Sequence, residues 1–264
     1  MPIGSFEGEV LRLLAANRSA ESFVAGASVL NQSPDSPRTS LDIDIFHDAE
    51  AQLATSVDRD LATLRAAGYA VEEGRKMATF FRAQVSRGGA ETKLEWVVDS
   101  AFRFFPIEPD AELGWRLNFW DAATNKVLAF AGRHVFRDYV DTVHLHREHL
   151  PLAALAWAAG GKDPGLTPEF IVNWMRRTSR YTAEEIAKAR LPEPPDLVAM
   201  KMTLHDATFA ADELFAKLPP AEMGCLYLDA QGKPVCPDPE APEFGKLTRH
   251  FGSVRGAWPR IAEE

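Results

Sequence analysis

Apolar positions in residues 6–18 recur at helical spacing: Phe6, Val10, Leu13 and Leu14, with Leu11 beside them. They predict an amphipathic helix with one buried face that ends near Asn17. Phe23-Val24-Ala25 then runs into Gly26-Ala27-Ser28 and a second apolar pair, Val29-Leu30, which reads as a strand or helix end broken by a small-residue turn. Residues 31–39 are rich in Ser, Pro and Asp and form a loop. Residues 41–46 alternate strictly, so a strand buries Leu41, Ile43 and Ile45 and turns Asp42 and Asp44 to the opposite face. A helix is predicted over 49–67, stopped by Gly68, followed by strands at 69–73, 78–86 and 92–98, the last two joined at Gly88-Gly89.

From Trp120 onward the pattern is helical. Residues 125–150 divide into two helices at Gly132, 151–159 form an apolar helix, and further helices are predicted at 169–177 and 196–218. Leu191-Pro-Glu-Pro-Pro is a stiff break, and a hairpin is expected between Cys225 and Cys236, turning near Ala230-Gln231-Gly232. That register would make the two cysteines cross-strand neighbours, with a packing role rather than a disulfide in a reducing compartment. The fold class is therefore α+β: a mixed sheet with flanking helices over residues 1–150, then a mainly helical region over 151–264 with a small hairpin near 225–236.

Composition narrows the function. The 264 residues are 46% hydrophobic, enough for a sizeable core, while 38 acids against 29 bases leave a net charge of −9 and exclude a protein that coats nucleic acid generally. An anionic partner must bind locally. No apolar run reaches membrane-spanning length, and Glu7, Glu9, Arg12 and Arg18 interrupt the N-terminal segment, so no membrane partner, no secretory signal and a cytoplasmic location are expected.

Asp42 and Asp44, at i and i+2 on a strand, place two carboxylates about 6.5 to 7 Å apart on one side. Like charges held that close call for a cation, and Mg²⁺ (or Mn²⁺) suits them because it takes carboxylate oxygens and completes its shell with water and nucleotide phosphates. The small-residue turn at Gly26 supplies backbone N–H groups for a phosphate. A bare Asp-x-Asp is equally the mark of an acidic, solvated strand face; its neighbours decide between the two.

Gly26-Ala27-Ser28-x-Leu30, a spacer, and Arg38-x-Ser40-x-Asp42-x-Asp44 together resemble the signature of DNA polymerase β-like nucleotidyltransferases. More narrowly they resemble the AbiEii-type nucleotidyltransferases, the toxins of type IV toxin–antitoxin systems, in which the turn reads G-G-x-x-L and the strand is introduced by R-x-S-x-D-x-D. Lys126, followed by Arg137-Asp138 and Asp141, is similar to the family's second block. Ala27 departs from the family's second glycine or serine. The resemblance spans about residues 20–150 and implies a mixed-sheet nucleotidyltransferase that moves a nucleotidyl group from an NTP (ATP, GTP or CTP) to an acceptor. It implies a tRNA or other RNA 3′ end as acceptor and a cognate antitoxin as protein partner. A small hydroxylated molecule as acceptor, or a nucleotide-binding module without catalysis, are the alternatives.

The resemblance implies roles residue by residue. Asp42 and Asp44 ligate the metal; Glu95, or Asp99 on the same strand face, is the third carboxylate; Lys126 meets the nucleotide phosphates. Asp138 is a catalytic or lysine-orienting acid. Gly26, Ala27, Ser28, Arg38, Ser40 and Asp141 complete the nucleotide-binding set. An edge-strand charge for Glu95 and a surface lysine for Lys126 are the plain alternatives. His144, His146 and His149 do not share one helix face and read as no zinc site. Arg176, Arg177 and Arg180 with Trp174 and Tyr181 form either an RNA-facing patch or a solvated helix face.

Overall fold

The structure, a computed structural model, describes residues 3–177 and 180–260. In chain order its main elements begin with α1 (Ser5–Leu14), β1 (Ser22–Ala25), α2 (Ala27–Leu30), β2 (Asp42–His47) and α3 (Glu50–Ala66). They continue through β3 (Ala70–Met77), β4 (Phe80–Arg87), β5 (Ala90–Val98), β6 (Phe102–Arg103), β7 (Glu108–Asp110) and β8 (Gly114–Arg116). Then come α4 (Phe119–Arg133), α5 (Phe136–Glu148), α6 (Leu152–Ala159), α7 (Pro168–Arg176), α8 (Ala183–Lys188), α9 (Leu197–Phe215), β9 (Cys225–Leu228), β10 (Thr248–Phe251) and β11 (Ser253–Val254). Two units result: the chain up to Ala101 with Pro106–Ala122, and Phe102–Phe105 with Ala123 onward, so that α4 starts in the first and continues into the second.

The first unit is built on a seven-stranded mixed sheet in the order β3-β4-β5-β2-β1-β8-β7. β2 runs parallel to β5 and β1 parallel to β8; the remaining pairs are antiparallel. The alternation of residues 42–46 sorts the faces as expected: Ile43 and Ile45 join Leu94, Trp96, Phe81 and Ala83 on a face closed to water. On that face α3 contributes Leu53, Val57, Leu61 and Leu64, and α1 contributes Val10, Leu11 and Leu14. Asp60 of α3 is fully buried there and satisfied on every side. It accepts hydrogen bonds from Trp96 Nε1 at 2.8 Å and Asn17 Nδ2 at 2.9 Å, and it is paired with the buried Arg18 guanidinium. A buried carboxylate is tolerated only with such a full set of partners. Gly68, at φ +80°, ends α3 where a left-handed residue is needed.

The short strands β7 and β8 extend the sheet beyond what hydrophobic alternation predicts, because three residues carry no period. Leu41 precedes β2 and is only partly buried.

The second unit is mainly helical. α6 is buried on every side, in keeping with its unbroken apolar sequence, and packs against α9, α7 and β9. The predicted division of 125–150 is present but displaced: Gly132 lies inside α4, and the chain breaks at His134, which takes a left-handed φ of +50°. The hairpin is also revised. β9 finds its antiparallel partner in Thr248–Phe251, and of the expected return arm there remain the Leu228–Pro234 bridge and the Asp229 N–H to Lys233 O and Val235 N–H to Tyr227 O bonds. Pro234, Pro237 and Pro239 lack N–H groups and cannot build a ladder. The Leu228–Pro234 pairing shifts the register by one, so Cys225 and Cys236 are not opposite, and both thiols are free. The second unit also holds the β6–β11 pair. No helix among the described residues is long and apolar enough to cross a membrane.

Candidate active site

β1 leads directly into the small-residue turn. Ala25 lies opposite Asp44 across the antiparallel β1–β2 pair, and Gly26 follows at φ +63°, a region that L side chains rarely adopt. A Cβ on Gly26 would overlap Asp44 Oδ2 and stand 3.0 Å from its Cγ, so the absent side chain is what lets the carboxylate lie against the turn. Ala27 occupies the first position of α2, partly exposed. The position that rejects a Cβ is 26, not 27.

The two serines of the motif are buried, and both hydroxyls donate to one acceptor, the main-chain carbonyl of Asp42: Ser28 Oγ at 3.2 Å and Ser40 Oγ at 3.4 Å. They fix the start of β2. Thr92 Oγ1 does the same from β5, donating to Leu41 O at 2.8 Å. Arg38 is buried, with Nη1 3.4 Å from Thr39 O.

The polar face of β2 is continued by β5 and β4. Parallel pairing sets Lys93 beside Asp42 and Glu95 beside Asp44, and antiparallel pairing sets Arg82 beside Glu95. Lys93 Nζ stands 3.3 Å from Asp42 Oδ2 and 3.2 Å from Glu95 Oε1. Arg82 donates to the same Glu95 oxygen from Nε at 2.8 Å and Nη2 at 2.6 Å. The sequence-predicted Asp42, Asp44 and Glu95 thus share a face, with two cations interleaved. Asp99 follows β5, and its carboxylate accepts the Ser100 N–H at 2.8 Å.

Among the described residues no group of three or more His, Cys, Asp or Glu is arranged to hold a metal ion. What β2 offers is a carboxylate pair, and that fits Mg²⁺, which is commonly held by one or two carboxylates together with water and substrate phosphates.

The second unit gathers the remaining predicted residues. Lys126 of α4 is buried, its Nζ 2.8 Å from Asp138 Oδ1 and 3.1 Å from Asp141 Oδ2 of α5. The spacing of three on α5 brings both carboxylates to one ammonium. Arg133 reaches Asp138 Oδ2 from Nε at 2.6 Å and Oδ1 from Nη2 at 3.1 Å. Burial alone would raise the Asp138 carboxyl; Lys126 and Arg133 outweigh it and hold the group at about 2. The ion triad is fully assembled within the fold.

Other sequence-level features resolve into structural roles. His146 Nδ1 lies 3.0 Å from the Leu152 N–H at the start of α6, and the His144 and His149 rings pack edge to face. Arg176 ties α7 to α9, bonding Thr208 and Asp212 and covering the Phe209 ring. Tyr181 stacks on Tyr139 and packs against Phe136.

No family model matches the chain, and no curated protein matches its sequence. Solved structures do resemble it. JHP933 from Helicobacter pylori aligns over 79% of this chain and 89% of its own, with a TM-score of 0.50 and 16% identity. MenT4, a nucleotidyltransferase toxin from Mycobacterium tuberculosis H37Rv, aligns over 82% of this chain and 83% of its own, with a TM-score of 0.54 and 14% identity. The chain has a nucleotidyltransferase fold.

Within this nucleotidyltransferase fold, motif reading missed Arg82 and Lys93. Lys93 shares a strand face with Glu95, which was legible; its pairing with Asp42 depends on the β2–β5 register, to which no local signal points.

Proposed function

We propose that the protein is a metal-dependent nucleotidyltransferase that moves a nucleotidyl group from an NTP to an acceptor hydroxyl. The observation that carries the proposal is the Asp42–Asp44 pair on β2, with Asp44 seated against a glycine that admits no Cβ. Asp42 and Asp44 would hold Mg²⁺, which when bound neutralises phosphate charge and orients the triphosphate. Gly26, Ala27 and the start of α2 would offer backbone N–H groups to a phosphate, while the Ser28 and Ser40 hydroxyls hold the Asp42 carbonyl in place and Arg38 is assigned to support the loop. Glu95 is assigned a positioning role, because its Oε1 already receives Arg82 and Lys93. In the second unit Lys126 is assigned to nucleotide phosphate: its Nζ carries three N–H bonds, and Asp138 and Asp141 orient it.

An RNA end is the proposed acceptor, with a tRNA 3′ end the specific case. Arg75 of β3 and Arg82 of β4 both stand over the Phe80 ring, 5.9 and 5.4 Å from its centroid, and β4 lies beside the strand that carries Glu95. Cations bracketing an aromatic ring suit a strand end held by phosphate contacts and base stacking, and they provide the local basic surface that a net charge of −9 does not. The biological role proposed is that of a toxin restrained by a cognate antitoxin. Incubation with each α-labelled NTP, Mg²⁺ and total RNA is expected to label an RNA band, lost in Asp42→Asn. No labelled band with any NTP overturns the RNA assignment. Growth arrest on expression of the wild type but not of Asp42→Asn is expected; equal arrest by both overturns catalytic toxicity.

A further inference from the structure

We infer that Lys93 is a built-in counter-cation that competes with the divalent metal for the β2 carboxylates. The inference rests on the metal-site reading above. Asp42 belongs to the proposed metal pair, and the ammonium of Lys93, its neighbour on the adjacent strand, stands 3.3 Å from its Oδ2. The same ammonium is 3.2 Å from Glu95 Oε1, so it bridges two carboxylates of different strands. Two structural features make this placement stable. Parallel register puts Lys93 directly beside Asp42, and Arg82 pins Glu95 from the far side, which leaves Glu95 oriented toward Lys93.

The Lys93 side chain is about a quarter exposed, so it sits at the surface of the site rather than within a packed core. A lysine stem has four rotatable bonds, and its head can withdraw to water when a stronger cation arrives. Lys93 therefore holds the acidic face together without metal and yields Asp42 when metal binds with the nucleotide. The consequence is weak metal binding in the absence of nucleotide and a defined affinity gain when the lysine charge is removed.

Calorimetric titration of the full chain with Mn²⁺ alone tests this. Lys93→Met, which keeps the length of the stem, is expected to bind Mn²⁺ about ten-fold more tightly than wild type, the fraction of a close unit-charge interaction that survives solvent screening. Lys93→Gln is a second variant, expected to show the same direction, and thermal melts establish that both are folded. Lys93→Arg, which keeps the charge, is expected to stay near wild type. Equal or weaker Mn²⁺ binding by folded Lys93→Met and Lys93→Gln overturns the counter-cation role while leaving the metal site standing. If wild type and both variants show no Mn²⁺ binding, or if Asp42→Asn binds as wild type does, the metal-site reading fails instead.

Discussion

Gly26 and Asp44 occupy space that a single methyl group would make incompatible. The turn residue sits at φ +63° with its missing Cβ aimed at the Asp44 carboxylate, and the β1–β2 pairing of Ala25 with Asp44 leaves neither residue room to withdraw. The turn after β1 and the strand that carries the carboxylates are thereby locked to one geometry.

Gly26→Ala therefore tests the site without touching a charged group. The added methyl must push the Asp44 carboxylate aside and strain the backbone. Activity is expected to fall about a hundred-fold, as a displacement of around 1 Å at a reacting centre does. Ala27→Gly, one residue on, is expected to leave activity within a few-fold. Transfer rates of both variants, with melting curves to confirm folding, check the contrast.

Lys126 carries structural weight in addition to its proposed task. Lys126→Met leaves Asp138 and Asp141 buried without their shared cation. A loss of about 3 kcal/mol is expected, since removing one partner of a buried pair leaves an uncompensated charge. The double variant Lys126→Met/Asp141→Leu is expected to recover part of that loss. Urea unfolding of the singles and the double measures the coupling, and an unchanged midpoint in Lys126→Met would show that the triad contributes nothing.

Acid stability should report two groups in separate windows. His47 closes β2 with its ring fully buried, and burial, with the nearby Arg18 charge, lowers it from 6.5 to about 4. The folded state therefore binds the proton less readily than the unfolded chain. The stability this protects is complete above pH 6.5 and declines as pH falls toward 4, by about 3 kcal/mol. Urea midpoints measured between pH 7 and 4 are expected to fall in wild type and to fall less in His47→Leu.

Asp138 acts lower. Its folded value of about 2 lies below the ordinary 3.8, so its contribution is present above pH 4 and is lost as pH drops toward 2. Arg133→Ala removes one of the two cations that hold it down, and the acid-unfolding midpoint is expected to move to higher pH.

The sheet core and the carboxylate pair were legible because they depend on short-range regularity. Ile43 and Ile45 alternate with Asp42 and Asp44, and Gly26 marks a turn that only a residue without a side chain fills comfortably. Contacts set by distant pairing were not. β7 and β8 are too short for a period, α8 has six residues, and β9 takes a partner that starts at Thr248, past the proline-rich segment that looked like its return arm. Lys93 and Arg82 belong to the same class, since their bonds to Asp42 and Glu95 follow from register between strands. Asp138 and Asp141 show the intermediate case: helical spacing put them on one face, and only the fold shows that the face meets Lys126.

The most direct test of nucleotidyl transfer is to compare α-labelled with γ-labelled NTP on the same protein and RNA. Transfer of a nucleotidyl group moves the α-phosphate to the acceptor and releases pyrophosphate. The expected result is RNA labelled from the α-position only, with pyrophosphate formed in step, and neither signal in Asp44→Asn. Label arriving from the γ-position, or α-label that persists in folded Asp44→Asn, would contradict the assignment of Asp42 and Asp44 as the centre of a nucleotidyltransferase.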